Sequence, residues 1–254
     1  MYFTDGNFQE YAIEVAGNSA DVESGGVRIN LIPREGGNLF KGNFFANYSS
    51  DALQSSNLSA DLKARGLVDA NRVKTNWQIN PSVGGPVQKD RLWFFGTYTP
   101  LRIEQYVAGT YVSKNLTSST YAPDLTQQAV DEQWGRDAAV RLTWQASQRN
   151  KISMYYDYND LCHCTFLAGR GTSPEASTYL IAHNKVYQLT WSSPVTNRLL
   201  FDLGMSSAPQ PQLFQPRPEA LAPRIVDSGI GETFRANIPM NVLTTNWSSR
   251  GSIW

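Results

Sequence analysis

Residues 31–49 read LIPREGGNLFKGNFFANYS. Before them Val27, Ile29 and Leu31 alternate with polar neighbours, and after the Gly36-Gly37-Asn38 turn Phe40, Gly42, Phe44, Ala46 and Tyr48 fall on one face against Lys41, Asn43 and Asn47. A period of two marks a strand with one apolar face. One strand-like segment therefore runs through a glycine turn directly into another.

The same period recurs downstream. Trp77, Ile79, Pro81 and Val83 share a face, as do Ala138, Val140, Leu142 and Trp144, and then Ile152, Met154, Tyr156 and Tyr158. Tyr187, Leu189 and Trp191, followed by Leu199, Phe201, Leu203 and Met205, and finally Trp247 and Ile253, continue it more weakly. The segment RLWFFGTYTPLRIEQYV is strand-like, but both of its faces begin apolar and alternation leaves it unoriented. Short polar turns at 87–91, 145–151 and 192–198 alternate with long segments at about 49–75, 108–133, 161–183 and 207–242, far above ordinary loop length. Strands of about ten residues with short turns at one end and long loops at the other predict a transmembrane β-barrel, apolar outside and polar inside.

Composition agrees with a folded chain of one or two domains: 254 residues, 41% hydrophobic and only 17% charged. Lys+Arg and Asp+Glu both total 22, so the basic footprint of a nucleic-acid binder is missing. No run approaches the roughly 18 apolar residues of a transmembrane helix, and the opening MYFTDGNFQE shows no basic or apolar signal region.

Local features refine this reading. Ser59 is placed to cap a short helix in NLSADLKARGL, with Gly66 suited to its left-handed end. Residues 208–223, rich in proline, are expected to form an extended excursion outside the membrane wall. Trp93, Phe94, Phe95, Trp144 and Trp191 lie where strands meet the short turns, as in an aromatic girdle.

The run SADVESGGVRINLIPREGGNLFKG, with KGNFFANYS, resembles the junction between plug and first barrel strand of TonB-dependent outer-membrane receptors. NPSVGGPVQKDRLWFFGTY, RLTWQASQRNKISMYYD and LTWSSPVTNRLL are similar to the next hairpins of that family, particularly of members with a carboxypeptidase-regulatory-like front domain. The resemblance implies an all-β chain in which 1–38 is the C-terminal part of a plug and 39–254 is an antiparallel up-and-down transmembrane barrel segment. It implies a Gram-negative outer-membrane location, loops outside and turns periplasmic, with outer-membrane lipid around it. It also implies energised uptake of a scarce or large nutrient such as a glycan, siderophore or corrinoid, driven by a TonB-type complex that would act through a segment absent here. Members of the family close about 22 strands, whereas alternation gives about eight here, so a fragment is expected.

Candidate chemistry is sparse. Cys162, His163 and Cys164 offer soft metal ligands, but three adjacent residues do not converge readily on one tetrahedral centre and no fourth is apparent; a local disulfide is the alternative. Arg28, Arg34 and Glu35 are candidates for ion pairs between plug and wall. His163 and His183 are the two histidines, and no nucleophile elbow, phosphate loop or zinc-protease motif occurs, so neither catalysis nor a cofactor is expected. The alternatives to transport are a soluble β-sandwich that binds carbohydrate, and a small structural barrel or adhesin.

Overall fold

In the computed structural model, residues 5–15, 27–67, 69–169, 171–219, 222–235 and 240–253 are described, apart from the side chains of residues 5, 14, 28–30 and 240–253. The strands are β1 (Phe8–Glu14), β2 (Arg28–Pro33), β3 (Lys41–Ser50), β4 (Arg72–Gln88), β5 (Leu92–Ser113), β6 (Pro123–Gln145), β7 (Lys151–Phe166), β8 (Thr178–Thr196), β9 (Leu199–Pro216), β10 (Ile225–Asp227), β11 (Glu232–Phe234) and β12 (Met240–Ile253). Strands β1 and β2 pair with each other in a sheet of their own. From β3 onward one eight-stranded sheet runs β12-β9-β8-β7-β6-β5-β4-β3, every pair antiparallel, with the β10–β11 hairpin inserted in the last long connection. This is an up-and-down meander.

Register converts the alternation into two faces. Val140 lies opposite Gly96 and Tyr156, Leu142 opposite Phe94 and Met154, and Leu189 opposite Met154 and Met205. These side chains form a continuous outward band in which Met154 is 57% exposed and Leu142 40%. A large exposed apolar face marks an interaction surface rather than ordinary solvent contact. The other face carries Asn80, Ser82, Thr97, Thr99, Asp137, Thr143, Ser153, Asp157, Asn159 and Asn184, all buried. Apolar outside and polar inside is the pattern of a barrel wall. The same register orients β5, since Thr97 and Thr99 are buried within while Tyr98 is exposed outside.

The strands outrun their apolar band. β5 has 22 residues and β6 has 23, so the connection expected at about 108–133 narrows to 114–122, and that expected at about 161–183 narrows to 167–177. Backbone pairing does not require an apolar face. Above the band it continues with cross-strand ion pairs, Arg102 to Glu132 at 2.8 Å and Lys74 to Glu104 at 3.4 Å. The connection expected at about 49–75 stays long, spanning 51–71 and holding helix α1 (Ala60–Ala64) with Ser59 Oγ accepting from the amide of Leu62 and Gly66 at φ 95°.

The proline-rich excursion is corrected in part. Residues 208–216 complete β9 and pair with β12 through Pro209↔Thr245 and Pro211↔Leu243. Successive amides in a strand point to alternate neighbours, so Pro209 and Pro211 withhold donors from the same side. The ladder to β8 lapses there, between Ala182↔Gln212 and Tyr187↔Ser207.

Candidate functional site

The buried polar face of the wall is met by the start of the chain. The turn Asp5–Asn7 delivers Asn7, 1% exposed, into it. Asn7 Nδ2 donates to Asp137 Oδ1 at 2.8 Å and Asp157 Oδ2 at 3.5 Å, while its Oδ1 accepts from Thr97 Oγ1 at 2.9 Å. Tyr155 Oη donates to Asp157 Oδ2 at 2.9 Å, Asn159 Nδ2 donates to Asp137 Oδ2 at 3.3 Å, and Asn80 Nδ2 donates to Thr99 Oγ1. Gly6 permits this approach, because a Cβ there would enter the space of the Asn80 amide. The alternation in β4 to β8 places every wall partner, as inward residues two apart share a face.

A second contact closes the junction. Glu35 receives Lys151 Nζ at 3.1 Å and Thr143 Oγ1 at 3.2 Å, with an Arg141 guanidinium nitrogen at 3.9 Å. Arg141 also donates to Pro33 O at 2.5 Å. Burial pushes the Glu35 carboxyl up, but the Lys151 hydrogen bond, the charges of Arg141 and Lys151, and the Thr143 hydroxyl together hold it below the usual carboxylate range. The carboxylate thus stands on the segment and the cations on the wall. Arg34, expected to pair with the wall, instead donates through Nε to Phe8 O at 2.9 Å and through its amide to Asn7 O at 3.0 Å. The carbonyls of the paired neighbouring segment lie nearer than any wall carboxylate. The Arg28 side chain lies outside the described residues.

The glycine turn then enters the wall. A Cβ on Gly36 would collide with the Phe94 carbonyl, whereas one on Gly37 would meet nothing within 4 Å; neither residue has a positive φ. Close approach, not unusual backbone angle, is what Gly36 supplies. Asn38 fastens the neighbouring short turn, its Oδ1 accepting from the Asp90 amide at 2.9 Å and from Trp93 Nε1 at 2.7 Å. Trp191 Nε1 similarly donates to Asn150 Oδ1 at 2.9 Å on the next short turn. Between Leu31–Pro33 and the wall residues Ser153, Tyr155 and Thr190 lies a cavity of about 310 Å³.

Cys162 and Cys164 form a disulfide, so neither sulfur is free as a thiolate ligand. His163 points the other way and contacts Asp131 Oδ1 at 2.6 Å. No cluster of three or more His, Cys, Asp or Glu suited to a metal ion occurs among the described residues. At the far end the connections are tied to one another: Arg235 Nε donates to Ser118 O at 2.7 Å, the Ser173 amide to Thr233 O at 2.9 Å, and Tyr121 packs on Phe234 with ring centres 5.8 Å apart. Burial, then the neighbouring Glu175 charge, pushes the Glu232 carboxyl above its ordinary value.

Sequence reasoning selected Glu35 but missed Asn7, Asp137 and Asp157. An Asn in an Asp-Gly-Asn turn reads as solvated, and only contact across 130 residues reveals otherwise.

No family model matches the chain. Over 77 residues it is 32% identical to a TonB-dependent transporter, Oar, of Myxococcus xanthus, a match covering 30% of this chain and 7% of that protein. Its fold is similar to that of the siderophore receptor PirA of Acinetobacter baumannii, with a TM-score of 0.56 at 15% identity over 89% of this chain and 29% of the receptor. The chain thus spans a small share of the length of either. No helix among the described residues is long and apolar enough to cross a membrane, which leaves strand crossing untouched. Part of the chain is thus similar in sequence to a TonB-dependent transporter, and its fold is similar to that of a β-barrel receptor.

Proposed function

We propose that this chain forms part of a TonB-dependent outer-membrane receptor for energised uptake of a scarce or large nutrient. In this reading residues 1–38 are the end of the plug and 39–254 the first part of the barrel, with long connections outside and short turns facing the periplasm. The observation that carries it is the docking of Asn7 and Glu35 on the polar inner face of a wall whose opposite face is an open apolar band. A plug must be held inside the lumen by contacts weak enough to release under force. A few amide hydrogen bonds and partly exposed ion pairs fit that requirement, each contributing about 0.5–3 kcal/mol. A soluble sandwich fits less well, since it would bury the apolar face against a second sheet. Outer-membrane lipid covers that face instead, and a TonB-type complex pulls on the plug. The cargo belongs to the class of siderophores, corrinoids or glycans.

The test is a reversible lock. With Cys162 and Cys164 both changed to serine, Asn7→Cys and Thr97→Cys place two thiols where side chains now meet at 2.9 Å. Cells expressing the full-length gene are given a ferric siderophore, cyanocobalamin and an oligosaccharide, each radiolabelled. One of the three should accumulate until a protonophore is added, stop in the oxidised double-cysteine variant and resume on reduction. Accumulation indifferent to the lock, or absence of the protein from the outer-membrane fraction, would refute the reading.

A further inference from the structure

Asp137 and Asp157 stand on adjacent strands of the inner face and are 1% and 0% exposed. The register sets Asp137 opposite Asn159 and Asp157 opposite Ala139, so the two are diagonal neighbours. Their carboxylates approach closely enough for one amide nitrogen, Asn7 Nδ2, to reach both. The remaining donors to them, the Tyr155 hydroxyl and the Asn159 amide, are also neutral. Neither aspartate has an ion-pair partner among the described residues. Two buried carboxylates without a counter-charge are costly, and neutral hydrogen bonds offset only part of that cost.

A separate observation concerns the next strand. Asn184 on β8, 1% exposed, lies opposite Asn159 and diagonal to Asp157. Its nitrogen donates to Asn159 Oδ1 at 3.4 Å, and its Oδ1 has no hydrogen-bond partner; Asp157 Oδ1 has none either. Both orphans are acceptors, on one face, in a cluster already short of positive charge. A buried unsatisfied polar group calls for a specific explanation, and an ion is one.

We infer that Asp137, Asp157 and Asn184 form an oxygen-donor site for Ca²⁺, beside the docked Asn7. Two carboxylates match the charge of a divalent ion. Carboxylate and amide oxygens in a flexible arrangement suit Ca²⁺, whereas Mg²⁺ requires near-octahedral geometry and zinc or copper favours nitrogen and sulfur. One of the three donors is an amide, so the set does not form a cluster of three titratable ligands. The ion satisfies the free oxygens of Asp157 and Asn184 and fastens β6, β7 and β8 where the segment carrying Asn7 rests. The inference rests on the wall residues alone and does not depend on a transported cargo.

The experiment uses the full-length protein, purified from membranes in detergent, stripped with EGTA and dialysed to equilibrium against ⁴⁵Ca²⁺. The expected result is that Asp137→Asn, Asp157→Asn and Asn184→Ala each weaken one Ca²⁺ per chain by about tenfold or more. Asp61→Asn, on the exposed loop helix, should bind as the parent does. Calcium should also raise the melting temperature of the parent but not of Asn184→Ala, which removes no charge and so keeps the test readable should an aspartate variant fail to assemble. Unchanged stoichiometry and affinity in Asp137→Asn and Asn184→Ala, or a calcium-dependent melting shift that survives in Asn184→Ala, would overturn the assignment.

Discussion

Replacing Gly36 by alanine separates two uses of glycine within one dipeptide. The new Cβ would lie 3.1 Å from the Gly85 carbonyl oxygen and 2.9 Å from the Phe94 carbonyl carbon, closer still to the Phe94 oxygen. Both obstacles are backbone, and Gly85 lies opposite Phe94 in the β4–β5 ladder, so neither yields by changing a rotamer. Overpacking usually costs about 1–3 kcal/mol, and an unyielding neighbour puts this case near about 3 kcal/mol, a loss of roughly a hundredfold in the folded-to-unfolded ratio. Gly37→Ala has nothing within 4 Å and an ordinary φ. It should be neutral or stabilise by about 0.4–1 kcal/mol through reduced unfolded-state entropy. The assay is the urea midpoint of each purified variant in detergent micelles, read from the shift of unfolded protein on an unheated gel. If Gly36→Ala unfolds at the same urea concentration as Gly37→Ala, the close-approach argument is refuted.

Glu35 makes the junction sensitive to acid. Its pKa is depressed in the folded chain, so its contribution is present above the unfolded value and fades as pH falls through and below the ordinary carboxylate range. The protection factors of residues 31–38, with each rate referred to the intrinsic exchange rate at the same pH, should fall over that range in the parent, and Glu35→Gln should remove that fall. Glu232 has the opposite sign: its folded pKa is raised above 4.5, so its ionised form opposes folding at neutral pH and protonation relieves this. Glu232→Gln should slow proteolysis of residues 222–235 at pH 7 and make no difference at pH 3. Ser59→Ala removes the hydroxyl that accepts from Leu62 at 3.3 Å; a lost cap costs about 1 kcal/mol, measurable as faster exchange confined to 60–66. The disulfide between Cys162 and Cys164 closes so short a loop that reducing it should move the melting temperature in detergent little, since stabilisation grows with loop length.

Much of the wall was legible in order. The alternation at Ala138–Trp144 and Ile152–Tyr158 named the outward residues correctly, and register confirmed them as neighbours across β6 and β7. Strand ends were not legible. At Asp131, Glu132 and Gln133 both faces are polar, so periodicity disappears while strand pairing persists. The prolines at 209 and 211 were misjudged for a related reason, since one neighbour can be lost while β12 still pairs.

The site divides along the same line. Sequence by itself determined which side of each strand is apolar, that Gly36 and Gly37 separate two strand systems, and that Glu35 is a charged residue beside the first wall strand. These are properties of neighbours along the chain, and periodicity reads them. Tertiary structure alone decided that Arg34 turns to the Phe8 carbonyl while Glu35 takes Lys151, and that Asn7 reaches Asp137. Each of those partners is fixed by the register between strands far apart in sequence, and the energy of a buried polar group depends on which partner that register supplies.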